Sequence, residues 1–140
     1  MRGLVAALAL AAGSTGAATA GSVDAVGLWA TPKYNGQVQV YRCGGGLCGR
    51  IVDGDPIRAD PGQRDIRNRN AALRGRPVKG LVVFQGYVGG PPEWKGGPFY
   101  DPQTGDLSAT GSLKLVGDGE LVVKGCLGPL CRSERWRRIR

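Results

Sequence analysis

Apolar and polar residues alternate along two neighbouring stretches of the chain, and this alternation restricts both stretches to β-strands. In the first stretch, one face carries only small or apolar residues, namely Leu107, Ala109, Gly111, Leu113 and Leu115. The second stretch repeats the pattern over residues 120–127, with Leu121, Val123, Gly125 and Leu127 on one face. Gly117-Asp118-Gly119 lies between them and predicts a tight hairpin turn. The two stretches are therefore predicted to be adjacent antiparallel strands with one buried face each.

Similar short runs occupy most of the chain, separated by many of its 25 Gly and 9 Pro residues. Eight runs are predicted as strands: residues 28–31, 37–42, 48–52, 80–87, 98–100, 107–115, 120–126 and 132–139. Short strands with Gly- and Pro-rich connections predict an all-β barrel or sandwich. The small inward residues Ala109, Gly111 and Gly125 indicate either an interior cavity or the bends that close a small barrel.

The N-terminal 20 residues have the order of a secretory signal peptide. Arg2 is followed by the apolar residues 4–12 and by Ala18-Thr19-Ala20, and we expect cleavage after Ala20. The remaining residues 21–140 are enough for one domain and too few for two. No second apolar stretch approaches the roughly 20 residues of a membrane span, so we expect no membrane span. Because the signal peptide directs export, we expect a protein of the periplasm or the exterior.

Charge and composition limit the functions that remain open. The formal net charge is +8, and it is +7 once Arg2 has left with the signal peptide. Export argues against nucleic acid as a partner, which leaves an anionic envelope component or simply solubility. The chain has no His, so catalysis through an imidazole is excluded. Because Asp65, Glu93 and Asp101 show no spacing that pairs two carboxylates, we expect no enzyme activity and no cofactor.

Four cysteines form two C-x4-C pairs, Cys43 with Cys48 and Cys126 with Cys131 in sequence spacing. In an oxidising compartment an even number of cysteines predicts disulfides, and three connectivities are open at this point. A zinc site built from all four thiolates is the alternative. Export disfavours that alternative, and we expect no metal.

The connection over residues 53–79 is long and carries Arg58, Arg64, Arg67, Arg69, Arg74 and Arg76. Within it, Asp65 is predicted to cap a short helix that runs through residues 71–73 and ends at Gly75. Connections of this length in compact domains are usually functional or disordered. The arginines are either part of a binding site or a solvated surface.

Two motifs at opposite ends of the chain resemble the lipocalin signature: Gly27-Leu28-Trp29 and Trp136-Arg137-Arg138. A wider series follows one order and is similar to the domain-of-unknown-function-2147 family of small exported bacterial proteins: Asp24-x-x-Gly27-x-Trp29, Tyr41-x-Cys43, Leu47-Cys48-Gly49-x-Ile51-Val52, Asp65-x-x-Asn68, Arg74-x-Arg76-Pro77-x-x-Gly80-Leu81, Trp94-x-Gly96-Gly97, Tyr100-Asp101-Pro102-x-x-Gly105 and Trp136-x-Arg138. Leu107 departs from the aromatic residue that the family often has there.

The resemblance implies a single eight-stranded antiparallel up-and-down barrel of lipocalin type, with one short helix in the long connection. It implies that Trp29 and Arg138 stack at the closed floor and that the interior takes an apolar ligand without catalysis. In such a meander the two cysteine pairs lie at opposite ends of the barrel. Cross-pairing is then out of reach, because bonded cysteines need Cα atoms within about 7 Å, so local pairing is expected.

Two functions are compatible with this architecture. The first is a carrier for a small apolar or amphiphilic molecule with an acidic head group. Arg74 and Arg76 would bind the head at the barrel mouth, and Val40, Phe84, Leu113 and Val123 would line the interior. The second is an envelope protein that inhibits or docks onto another protein through the Arg-rich connection and the loop around Pro91 and Trp94. We expect a monomer in either case.

Overall fold

Ten antiparallel strands form one sheet that closes on itself. The computed structural model describes residues 11–13 and 24–140. The predicted signal peptide and its cleavage point lie outside these residues, apart from positions 11–13. The strands are β1 (Gly27–Ala30), β2 (Gln37–Cys43), β3 (Gly46–Asp53), β4 (Val82–Gly89), β5 (Glu93–Gly96), β6 (Phe99–Asp101), β7 (Asp106–Ser108), β8 (Thr110–Val116), β9 (Glu120–Leu127) and β10 (Leu130–Arg138).

Eight strands make the closed ring, in the order β1-β2-β3-β4-β5-β8-β9-β10, and β10 pairs again with β1. The hairpin of β6 and β7 continues β5 and β8 towards one end of the barrel, where Phe99 of β6 pairs with Phe84 of β4. Strands β5 and β6, and likewise β7 and β8, are therefore two interrupted strands of an eight-stranded up-and-down barrel. The predicted fold class is confirmed.

The connections alternate between the two ends of this barrel. Residues 31–36, 54–81, 102–105 and 128–129 lie at one end, which we call the mouth. The shorter connections 44–45, 90–92 and 117–119 lie at the other end, the floor, together with the C-terminal end of β10. We call residues 54–81 the lid loop. Among the described residues, the structure contains no helix that is both long and apolar enough to cross a membrane.

The inward face of β7 differs from the prediction. Leu107 was expected inside but is 54% exposed, and Ala109 is exposed as well. Ala109 N–H donates to Cys126 O, while Thr110 is the register partner of Cys126. Two residues thus oppose one, which is a β-bulge, and a bulge moves the following side chains to the other face. Gly111 and Leu113 lie inside as predicted, whereas before the bulge Ser108 takes the inward position.

Strand β5 was not predicted. It has four residues between Pro91-Pro92 and Gly97, too few to show an alternating pattern. Trp94, expected on an exposed loop, is 5% exposed because β5 pairs with β8 and with the end of β4. The docking surface expected around Pro91 and Trp94 therefore lacks its aromatic residue.

The lid loop has two short helical segments. The α-helix α1 (Asp55–Ala59) was not predicted, and its first turn contains Pro56, a position that proline favours. The predicted helix at residues 71–73 is a single 3-10 turn (Ala71–Leu73). Its cap is Asn70, whose side chain accepts from Ala72 N–H, and not Asp65. The side chain of Asp65 is buried and bonded to other groups, so the predicted capping role is wrong.

Candidate ligand-binding cavity

A cavity of about 450 Å³ occupies the mouth half of the barrel. Pockets of this size accommodate small organic ligands. Its wall is largely apolar, with side chains from the strands and from the lid loop: Val38, Ile51, Ile57, Val78, Val83, Phe99, Val123 and Trp136. The lid loop therefore contributes directly to the wall, through Ile57 of α1 and through Val78.

The cavity ends where the barrel interior becomes fully packed. Phe84 stacks on Phe99 with ring centroids 5.8 Å apart and contacts Tyr87 at 4.8 Å. Glycines on neighbouring strands make room for these rings, because a Cβ at Gly111 would lie 1.9 Å from Tyr87 Oη. Burial raises the pKa of Tyr87 to about 12, and its hydroxyl donates to Gly97 O at 2.9 Å. At Gly111 the space that the missing side chain leaves is filled by Tyr87, so the cavity alternative does not hold at this position.

The predicted interior residues divide into two groups. Val123 lines the cavity. Val40, Phe84 and Leu113 belong to the packed core and are not among the lining residues. Gly125 lines the cavity beside Ser108. Gly125, the small residue predicted on the inner face of β9, therefore borders open space, whereas Ala109 lies outside.

The charged groups that line the cavity are mostly acidic. Asp53, Asp101, Asp106 and Glu134 contribute carboxylates, and Lys33 and Arg132 contribute cations. Asp53 is held by Arg58 with a 3.0 Å contact, and Asp106 by Arg69 at 3.0 Å. Backbone and side-chain hydrogen bonds from Gly54 and Arg58 hold the pKa of Asp53 below its ordinary value. These pairs lie around the rim, where water also reaches them.

Glu134 is the acidic residue on the inner face of β10. Its cross-strand partner is the buried, cavity-lining Val123, and its neighbour on the same face is Trp136. Trp136 Nε1 donates to Glu134 Oε1 at 2.6 Å, and the residue Trp136 is 1% exposed. Sequence analysis identified Trp136 only through its motif and did not identify Glu134. The available signal was an acidic residue two positions before an inward tryptophan.

A buried network fixes the lid loop. Asp65 accepts from Tyr100 Oη at 2.5 Å, from Asn68 Nδ2 at 2.9 Å and from Arg76 Nε at 2.9 Å. Burial raises the pKa of the Asp65 carboxyl, but these hydrogen bonds outweigh burial and hold the pKa below its ordinary value. Burial and the neighbouring Asp65 carboxylate raise the pKa of Tyr100 to about 12. Since Tyr100 lines the cavity, the network connects the lid loop to the cavity wall.

Arg74 and Arg76 make contacts within this network and within the lid loop. Arg76 pairs with Asp65, and its guanidinium lies 5.2 Å from the centre of the Tyr100 ring. Arg74 Nε donates to Asn68 O at 2.7 Å. Neither arginine is among the residues that line the cavity. Their role in binding an acidic head group stays a prediction.

At the floor, the guanidinium of Arg138 lies 4.4 Å from the centre of the Trp29 ring. Arg138 also donates to three backbone carbonyls, those of Asp24, Val26 and Asp118. Trp29 is fully buried, and its Nε1 donates to Ala25 O at 2.9 Å. The Arg138 contacts join the segment before β1 to the turn between β8 and β9 and close this end of the barrel.

Both disulfides are local, as the meander predicted. Cys43–Cys48 lies at the β2–β3 hairpin and Cys126–Cys131 at the β9–β10 hairpin, with Cα atoms 5.8 and 4.1 Å apart. The first hairpin is at the floor and the second at the mouth. Four thiolates at opposite ends of a barrel do not meet at one ion, so the zinc alternative is wrong. Among the described residues, no cluster of His, Cys, Asp and Glu is arranged to hold a metal.

Comparison with known proteins agrees with this architecture. Protein HP1028 from the human pathogen Helicobacter pylori, described as belonging to the lipocalin family, is similar in structure, with a TM-score of 0.72 over 85% of each chain. At 20% identity the similarity is one of fold. None of the curated proteins matches the chain. A family described as "Uncharacterized protein conserved in bacteria (DUF2147)" matches residues 27–138. The chain therefore belongs to the DUF2147 family.

Proposed function

We propose that this protein binds a small, largely apolar molecule in the cavity at the barrel mouth. The observation that carries the proposal is the apolar wall of that cavity inside a closed barrel. Removal of ligand surface from water supplies the affinity, at about 25 cal/mol per Å² of apolar surface. The lipocalin-like fold of the chain supports the same function.

The predicted acidic head group has weaker support. Arg76 is committed to Asp65 and Arg74 to a carbonyl of the lid loop. In the described part of the chain two cations line the cavity, and one of them, Arg132, lies 4.0 Å from Asp106. The proposal therefore requires an apolar ligand body and does not depend on an anionic end.

Binding is favoured over catalysis because Asp65, the most deeply buried carboxylate among the described residues, has structural partners. Asp65 is enclosed by Tyr100, Asn68 and Arg76, and a carboxylate held in this way is a poor proton acceptor. The alternative of a protein that docks onto an envelope partner retains the exposed arginines of the lid loop. It loses the contact surface expected around Trp94, which is buried.

We further propose that the protein acts outside the cytoplasm as the mature chain 21–140. Two disulfides support an oxidising compartment. The Ala18-Thr19-Ala20 site and the apolar stretch before it support export by a cleaved signal peptide.

Native mass spectrometry of the protein isolated from its own host tests the proposal. The expected result is a small molecule that leaves on denaturation, bound to wild type and absent from Ser108→Phe, whose ring would enter the cavity. Leu107→Phe is the matched control, because Leu107 is the neighbouring residue and points outward. A bound molecule that persists in Ser108→Phe would place the site elsewhere. A co-purifying protein with no small molecule would support the docking alternative.

A further inference from the structure

We infer that the polar end of the ligand is a cation, a protonated amine, and that Glu134 receives it inside the barrel. This inference rests on the proposed function, because it adds a charged end group to the apolar ligand that we propose for the cavity. The observation behind it is a carboxylate that lines an apolar and aromatic cavity and has no cationic partner among the residues that the structure describes.

The position of Glu134 follows from the register of β10. Glu134 and Trp136 are two residues apart on the same face of the strand, and both line the cavity. The opposite residues on β9, Val123 and Leu121, are buried inside the barrel. Glu134 is half-buried and lines the cavity, so its carboxylate is accessible from the cavity.

The hydrogen bonding of Glu134 leaves one oxygen available. Oε1 accepts from Trp136 Nε1. Within residues 24–140, Oε2 has no hydrogen-bond partner, and no Lys or Arg forms an ion pair with this carboxylate. By contrast, Asp53 and Asp106 at the rim each pair with an arginine. Asp101, the fourth carboxylate of the lining, accepts from Gln103 N–H in the 102–105 connection. Glu134 therefore differs from Asp53 and Asp106 in having an unused charge that faces the cavity.

The structural role of Glu134, as acceptor for Trp136, uses only one of its two carboxylate oxygens. Trp136 needs one hydrogen-bond acceptor for its buried indole N–H, and a neutral Gln would supply it without the cost of partly burying an ionised group. An ionised carboxylate at this position is favourable when a cation binds to it and balances its charge. A charge-assisted hydrogen bond is roughly twice as strong as one between neutral groups.

The aromatic wall is also suited to an ammonium group. Phe99 and Trp136 both line the cavity, with ring centroids 6.3 Å apart. Trp136 is buried, so the half-buried Phe99 is the ring of this pair that a ligand can reach. Cations are attracted to aromatic faces within about 6 Å. The ammonium would therefore find a carboxylate oxygen and an aromatic ring in one cavity, while its hydrocarbon body packs against Val38, Val83 and Val123.

Calorimetric titration with three ligands of equal chain length tests the inference: decylammonium, 1-decanol and decanoate. Wild type is expected to bind decylammonium about ten to a hundred times more tightly than 1-decanol, as one hydrogen bond to a charged group predicts. Decanoate should bind more weakly than 1-decanol, because its charge repels Glu134. In Glu134→Gln the preference for decylammonium over 1-decanol should disappear, while thermal stability and 1-decanol binding stay near wild type.

Glu120→Gln is the matched control. It removes the same charge from β9 outside the cavity, where Glu120 pairs with Arg135 on the surface. It should leave the ligand order unchanged. Equal or tighter binding of decanoate to wild type would overturn the inference, and so would an unchanged preference for decylammonium in Glu134→Gln. If 1-decanol also fails to bind, the proposed function itself fails, and this outcome is separate from a loss of amine preference alone.

Discussion

Replacing Asp65 by Asn is expected to loosen the lid loop and to lower the stability of the whole domain. The carboxylate is 1% exposed and accepts three hydrogen bonds, one of them from Arg76. Asn keeps one acceptor oxygen, so Tyr100 or Asn68 retains a partner. What the substitution removes is the charge that balances the Arg76 guanidinium and that strengthens each of these bonds.

The magnitude follows from the exposure of the partner. Removing one partner of a buried ion pair costs about 3–5 kcal/mol. The Arg76 side chain is 33% exposed, so water partly solvates it after the substitution. We therefore expect a loss near the lower limit, about 3 kcal/mol. The double variant Asp65→Asn/Arg76→Gln should lose less than the sum of the two single variants, because no unpaired charge then remains.

The effect should also depend on pH. The folded-state pKa of Asp65 lies below the ordinary value of 3.8, so ionised Asp65 stabilises the fold above that value. This contribution is lost as the pH falls through the lower folded-state pKa. The difference in unfolding free energy between wild type and Asp65→Asn should therefore be largest near neutral pH and shrink in acid.

Urea unfolding with the disulfides intact, followed by tryptophan fluorescence, measures this loss. Hydrogen exchange at the amides of Asp65 and Val78, which bond within the lid loop, separates local opening from global unfolding. Unchanged stability together with unchanged exchange at these amides would refute the role given to Asp65.

Three further predictions concern the floor, the packed core and the disulfides. Trp29→Ala should lower the free energy of unfolding by about 3–5 kcal/mol, the usual cost of removing a buried Trp. The folded fraction should keep its ligand affinity. An unchanged melting temperature would contradict the floor contact. Gly111→Ala should lower the free energy of unfolding in urea by about 2 kcal/mol, because its Cβ would overlap Tyr87 Oη. Gly119→Ala is the control and should have no such effect, because the space around Gly119 is open. Equal stabilities of the two variants would contradict that packing. The intact mass of exported protein should correspond to a chain that begins at Gly21 and lacks four hydrogens for its two disulfides; alkylatable thiols would contradict the oxidised state.

Periodicity predicted the strands well where they are regular, and the resemblance to a known family supplied the barrel. The hairpin of β8 and β9 was found because Leu113, Leu115, Leu121 and Val123 alternate with outward residues. The bulge at Ala109 was missed, since an added residue leaves no mark in composition while it reverses the faces of the residues before it. Strand β5 was missed because it has only four residues, with Pro91-Pro92 before it and Gly97 after it, too few to show an alternating pattern.

The site was harder to predict because it depends on height along the barrel and on partners far apart in the chain. Alternation indicates which face is inside, but it does not distinguish Val123 beside the cavity from Leu113 in the packed core. The shortest hydrogen bond of Asp65 comes from Tyr100, 35 residues away in the chain. The residues that follow Asp65 in the sequence indicated only a helix cap. Glu134 could not be identified as a candidate site residue from the sequence, because the sequence does not show that the space around it is an apolar cavity.

The most direct test of ligand binding inside the barrel is a titration of the protein with neutral 1-decanol, followed by NMR of the Val and Ile methyl groups. Saturable binding with one site is predicted, with the largest shifts at Val38, Val83 and Val123, which line the cavity. The methyls of Val88 and Val116, exposed on the outside of the barrel, should not move. Absence of saturation, or shifts confined to those exposed residues, would contradict a binding site within the barrel.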